Sequence, residues 1–327
     1  MLRTIFAPHL GTTVKMGRTA APPGAQKLQL AKYATAAPFA TPASADYAPK
    51  ASAALNNTFL NERLGCCVVA AGYHILGVLT GNAGPTFTAT SPQIISDYSA
   101  IGKYVPGDPS TDRGCNEQEA FNHWMTTGFA DGSRLAGYTA VNAANPSEVK
   151  AALYLFENLI FGMTMPNSWI YPLPSKPGFV WDAAGPSDPN NGHCVMVTGY
   201  NDKGVQIVSW GFAGTITWKA LAEYAIPSAG GEMYALLSPD QLIRAVQKAP
   251  NGIAWNDLVA DFNSMGGSVS PDTTPQSLLG PPLPGAAATA QASSILGNPV
   301  VPYVVGGAAA LGLLYWTFRD ESGSRKV

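Results

Sequence analysis

"NNGHCVMVTGYNDKGVQIVSWG", residues 190 to 211, reads as two short strands around a turn. The runs 193–201 and 204–210 are rich in β-branched and apolar residues, and "NDKG" at 201–204 supplies the turn chemistry of a hairpin. Gly192, ahead of His193, lets another backbone approach closely. Two more β-rich runs, "LIFGMTM" (159–165) and "EMYALLS" (232–238), belong with the hairpin.

Upstream the period changes. "CCVVAAGYHILGVLT" (66–80) is apolar nearly all round, the pattern of a helix buried in a large core. "SPQIISDYSAIG" (91–102) has a serine as its expected cap, "NEQEAFNHWMTTG" (116–128) has acids in its first turn and a terminal glycine, and in "NPSEVKAALYLFENL" (145–159) Ser147 is the expected cap. Helical stretches are also predicted at 239–248 and 254–264. Helices first and antiparallel strands afterwards define an α+β domain over residues 51–266.

The flanks differ from this body. Residues 1–50 are rich in Ala, Pro and Thr without a sustained period, and are expected to run as an extended arm. A Pro/Ala-rich linker is expected at 267–294, followed by an apolar helix at 295–318 and a basic tail at 319–327. "PVVPYVVGGAAALGLLYWTF" (299–318) has 20 residues, which at about 1.5 Å each match a bilayer core of about 30 Å. Aromatic residues and then Arg319, Arg325 and Lys326 close it, the order of a membrane anchor with its C-terminus on the cytoplasmic or interior side. The alternative is a glycine-rich helix packed against a partner subunit.

Composition narrows the partners. Hydrophobic residues make up 46% of the 327 and charged residues 12%, with 34 glycines and 27 prolines, as a buried body with loop-rich extensions requires. A net charge of −2 gives no electrostatic reason to expect nucleic acid. Four cysteines make no disulfide scaffold, and no CxxC or HxxxH spacing points to zinc. No cofactor is expected.

Cys66 and Cys67 sit in "NERLGCC" (61–67), where Gly65 opens a helix. A helix N-terminus and a nearby imidazolium both favour a thiolate. Cys66 reads as core, with a bridge to Cys115 as the next choice and Cys194 a further free partner. His74, seven residues along the helix from Cys67, reads as packed core or rim, His123 as structural or exposed, and His9 as part of the arm. The long aromatic loop 167–192 reads as the wall of a cleft or as a subunit interface.

The stretch 191–211 resembles the histidine region of papain-like cysteine peptidases: a Gly or Asn before the His, an alternating strand, "GY", a turn, another strand, and "SWG". "NERLGCC" is similar to that family's nucleophile segment, where an amide side chain stands six residues before the cysteine, as Asn61 does before Cys67. The resemblance covers about residues 55–240. It implies a papain-like fold, with Cys67 as nucleophile, His193 as general base, and Asn61 with the Cys67 backbone N–H as the oxyanion hole.

The chain departs from the family at three positions. Val208 stands where an asparagine orients the histidine. Ser209 replaces it only if a bulge turns it inward, and Asp182 or Asp188 are the other candidates. Asn61 is a methylene shorter than the usual glutamine, and Val68 takes the place of an aromatic residue. The order of the "GC", "GH" and "WG" segments is also similar to uncharacterised papain-like proteins of bacteriophages and prophages, which implies a virion or membrane-anchored setting. Two functions follow as expectations: a thiol hydrolase of peptide or isopeptide bonds, and a structural or attachment protein that keeps the fold without catalysis. Their partners are a protein or peptide substrate, or the neighbouring subunits of an assembly, with a membrane contact through 299–318.

Overall fold

The computed structural model describes residues 2–20, 41–243, 245–264, 267–270 and 272–278. The linker from 279 and the apolar segment 299–318 lie outside them. Among the described residues no helix is long and apolar enough to cross a membrane.

The first twenty residues correct the expectation of a surface arm. Strands β1 (Thr4–Ala7) and β2 (Thr12–Lys15) pair antiparallel, and Gly11 takes the left-handed conformation (φ 64°) that closes the turn. Their period of two sends Ile5, Ala7, Val14 and Met16 into the main core. Beyond the hairpin, Gly17, Arg18 and Thr19 continue as a strap across the body.

The helical half follows β3 (Ala45–Asp46). It contains α1 (Ser52–Leu55), α2 (Cys67–Ala83), α3 (Ser91–Gly102) and α4 (Glu117–Thr126). Helix α2 is buried on almost every side, as its apolar sequence predicts. It has no side-chain cap, so burial holds it, at about 1.5–3 kcal/mol for each of Val68, Ile75, Leu76 and Leu79. The α3 cap is Thr90, not Ser91, because Thr90 and Gln93 close a reciprocal capping box.

The second half alternates β4 (Gly137–Ala140), α5 (Pro146–Phe156), β5 (Leu159–Pro166), β6 (Phe179–Trp181), β7 (Ser187–Tyr200), β8 (Gly204–Ser209), β9 (Phe212–Thr217), α6 (Trp218–Tyr224) and β10 (Glu232–Leu237). Asn145, not Ser147, caps α5, since its side chain accepts from the Ser147 and Glu148 N–H groups. Helices α7 (Trp255–Ser264) and α8 (Pro275–Leu278) complete the described chain. The helix expected at 239–248 is one 3-10 turn, Pro239–Gln241; Ile243 then bridges to Lys248, and Gln247 is left-handed at φ 53°.

Eight strands form one sheet in the order β4-β10-β5-β7-β8-β9-β6, with β3 also on β7. All pairs are antiparallel except β6 with β9. The predicted hairpin is present: β7 pairs β8 from Tyr200↔Val205 to Met196↔Val208. Val195 and Val197 of β7 enter one core with Phe161 and Met163 of β5, whereas Cys194 and Met196 face α2. A sheet covered on both faces explains why these strands read as continuous apolar runs.

Candidate active site

Cys67 is the first residue of α2, and Asn61 lies in the turn before it. Asp112 fixes this segment. Its carboxylate accepts from the Gly65 N–H (3.0 Å) and the Tyr98 hydroxyl (2.6 Å), and it pairs with Lys15 of β2. The N-terminal hairpin is thereby tied to the residues that aim the thiol. The Asn61 amide donates one of its two N–H groups to the Leu64 carbonyl (3.2 Å).

His193 enters from β7, opposite Met163 of β5. Asn61, Cys67, His193 and Ser209, far apart in sequence, all line one cavity of about 10 Å³, with His74 and Trp210 also on its wall. That is room for about one water. Both side chains are sealed, Cys67 at 1% and His193 at 1% exposure.

The Nε2 atom of His193 lies 2.9 Å from Ser209 Oγ. With the proton on Nε2, Ser209 accepts, and Nδ1, which has no hydrogen-bond partner, carries the lone pair. Ser209 reaches the ring with the help of a bulge, as expected, but the bulge lies in β7: the β7–β8 register shifts between Val197 and Gly199, while β8 and β9 stay in register through Ser209↔Phe212. The chain turns just afterwards, with Trp210 at φ 49° and Gly211 at φ 79°. Val208 lines the cavity and offers no polar atom.

Neither aspartate orients the ring. Asp182 accepts from the Thr217 hydroxyl (2.6 Å), and Asp188 binds Arg3 (2.7 Å). The His74 Nε2 meets the Asn57 carbonyl at 2.8 Å, and its ring packs on Phe59. His123 is 3.9 Å from Asp97, and His9 packs on Phe212. None of the four cysteines is bridged, and the Cys66 thiol points at the Phe59 carbonyl (3.5 Å).

Burial sets the protonation of Cys67 and His193. It pushes the Cys67 thiol up to about 12, against the backbone N–H groups of Cys194 and Gly17, which pull it down. It pulls the His193 imidazole down to about 3. The sealed pair is therefore a neutral thiol beside a neutral imidazole. The strap lies beside both segments, Gly17 against Gly65 and the Arg18 N–H on the Gly192 carbonyl, and the sequence does not announce it, because Gly17 and Arg18 have no neighbouring pattern to mark them.

No protein-family profile matches the chain, and no curated protein does. Solved structures do resemble it, and its structural neighbours are papain-like cysteine proteases at low identity. Xylellain, a cysteine protease from Xylella fastidiosa, is 14% identical over 68% of this chain and 97% of its own, with a TM-score of 0.49. The cysteine protease Amb a 11, a ragweed pollen allergen, in its proform, is 13% identical over 65% and 70%, with a TM-score of 0.46. The proCathepsin B S9 of Trypanosoma congolense is 9% identical over 72% and 86%, with a TM-score of 0.44.

Proposed function

We propose that the protein is a thiol hydrolase of peptide or isopeptide bonds. The observation that supports it is the shared cavity of Asn61, Cys67, His193 and Ser209, with the cysteine at the N-terminus of a long helix. Once water reaches the cavity the desolvation that holds the pair neutral is relieved, and the helix terminus and an imidazolium both favour the thiolate. His193 Nδ1 takes the thiol proton, and the Cys67 sulfur attacks the carbonyl carbon. The Cys67 N–H and an Asn61 N–H donate to the oxyanion. Collapse expels the amine, which leaves with the proton held by His193, and water then releases the acyl group from sulfur.

The test is reaction of the full chain with a peptidyl vinyl sulfone, which labels an activated cysteine. Label on Cys67, abolished by His193→Ala, is the expected result. Equal labelling in the wild type and His193→Ala would remove the general base and the reading with it.

A second reading is favoured by Val208 at the orienting position and by the sealed thiol: an attachment or structural protein, in a virion or at a membrane, that retains the fold without catalysis. Flotation with liposomes of the chain with and without residues 295–327 tests the membrane half of it.

A further inference from the structure

Asn61 ends a turn that begins at Asn57, and two residues of that turn resist the shape they take. Phe59 and Leu60 both stand in the left-handed region, at φ 50° and 65°, which disfavours every side chain but glycine. Residues held there persist only where the surroundings impose it. The bonds inside the turn are short-range: the Phe59 N–H donates to Asn57 Oδ1 (2.8 Å), the Asn61 N–H to the Thr58 carbonyl (3.0 Å), and the Thr58 hydroxyl to Glu62.

The hold from outside comes from α2, chiefly from His74. A carbonyl can only accept, so the 2.8 Å contact of His74 Nε2 with the Asn57 carbonyl places the proton on Nε2. The same imidazole packs on the Phe59 ring, with centroids 4.9 Å apart and planes at 49°. The other bond from this helix end, the Cys66 thiol on the Phe59 carbonyl at 3.5 Å, is a weak one.

Thr58 also shows that the turn is a thin wall. It lines the site cavity with Cys67, His74 and His193, and it lines a second pocket of about 220 Å³, bounded by residues 57–60 and by Ala89, Ser91 and Ile94. A disfavoured turn with a pocket beside it has room to withdraw, and the imidazole bond opposes that withdrawal.

We propose that His74 is a positioning residue of the site: it pins the turn 57–61 and thereby sets the Asn61 amide where the oxyanion forms. The proposal rests on the hydrolase reading.

The experiment compares the full chain as wild type, as His74→Phe, which keeps a ring and removes the donor, and as His74→Gln, whose amide nitrogen keeps a donor near the same place. Two reagents read Cys67 in each, with Cys67→Ala as the blank and mass spectrometry to locate the label. In N-acetylglycine p-nitrophenyl ester the sulfur bonds the carbonyl carbon, an oxyanion forms, and p-nitrophenolate leaves. In iodoacetamide the sulfur displaces iodide and no oxyanion forms. Entry to the cavity affects both rates, so their ratio reports the oxyanion. His74→Phe is expected to lower the ester-to-alkylation ratio at least about tenfold, as Asn61→Ala does, and His74→Gln to restore most of it. Added to Asn61→Ala, His74→Phe should lower the ratio by less than about twofold more, because both changes remove one interaction. Amide hydrogen exchange over residues 57–64 should quicken in His74→Phe and not in His74→Gln.

An unchanged ratio or unchanged exchange in His74→Phe, equal losses in the Phe and Gln variants, or losses that add on the Asn61→Ala background would overturn the proposal, while turnover of the ester by the wild type leaves the hydrolase standing. An ester that the wild type leaves intact removes the hydrolase reading and the proposal together. If His74→Phe does not fold, Phe59→Leu, which takes away the ring against the imidazole, carries the test: the ratio should fall, and an unchanged ratio overturns the proposal.

Discussion

The imidazole of His193 lies almost flat on the indole of Trp210, with ring centroids 4.3 Å apart and planes 13° from parallel. The indole covers one face of the ring while Ser209, its chain neighbour, holds the edge. A histidine stacked on one face and held at its edge has little freedom to swing.

Trp210→Ala should therefore both destabilise the fold and loosen the ring. Loss of a buried indole costs about 3–5 kcal/mol, whereas Trp210→Phe keeps a flat apolar face and should cost less. Urea titration of the two variants gives the comparison.

Ser209→Ala takes away the partner of Nε2. A buried donor left unpaired costs about 1–3 kcal/mol, and the ring loses its preferred tautomer. We expect the rate of Cys67 labelling by the vinyl sulfone to fall by about tenfold, with Ser209→Thr restoring most of it. A purely structural serine would alter the urea midpoint and leave the labelling rate of the folded protein alone.

Cys67 and His193 also predict a pH window for stability. His193 in the fold is lowered to about 3 from 6.5, so between those values the unfolded chain binds the proton that the folded chain refuses, and stability falls as pH drops. Cys67 is raised to about 12 from 9.0, so above pH 9 the unfolded chain releases a proton that the folded chain keeps, and stability falls as pH rises. These two groups give a plateau between pH 6.5 and 9. Urea midpoints across pH, for wild type and Cys67→Ala, check it: the variant should lose part of the alkaline slope.

Glu157 makes a separate prediction. It is fully buried at the C-terminus of α5, and burial raises its carboxyl to about 7, with the Asn251 backbone and Lys50 acting in the opposite direction. Its folded value lies above the unfolded 4.5, so stability contributed at acid pH is lost as pH climbs from 4.5 towards 7. Glu157→Gln should remove that loss, and its thermal midpoint should exceed that of wild type at pH 8 but not at pH 4.

Much of this molecule was legible in the sequence because its signals are local. The hairpin at 193–210 follows from apolar runs and the "NDKG" turn, and α2 from fifteen consecutive residues with almost no polar face. The approach of Cys67 to His193 rested on resemblance, since no spacing rule links residues so far apart. The contact of Ser209 with the ring follows from the extra residue in β7 between Val197 and Gly199, which shifts the register by one and has no local mark in the sequence. The N-terminal hairpin was missed because each strand has four residues, β1 presenting two apolar positions to the core and β2 only one. Arg18 was missed for a different reason. Its partners lie 99 and 214 residues away, and a single cation in an Ala- and Pro-rich stretch has no local mark of burial.

Strands β5, β7 and β10 give alternate side chains to two separate cores, so the helical and sheet halves share a single wall rather than meeting at a joint. Prising the halves apart would expose both sides of that wall to water. Motions that reach the sulfur are therefore expected to leave that wall whole.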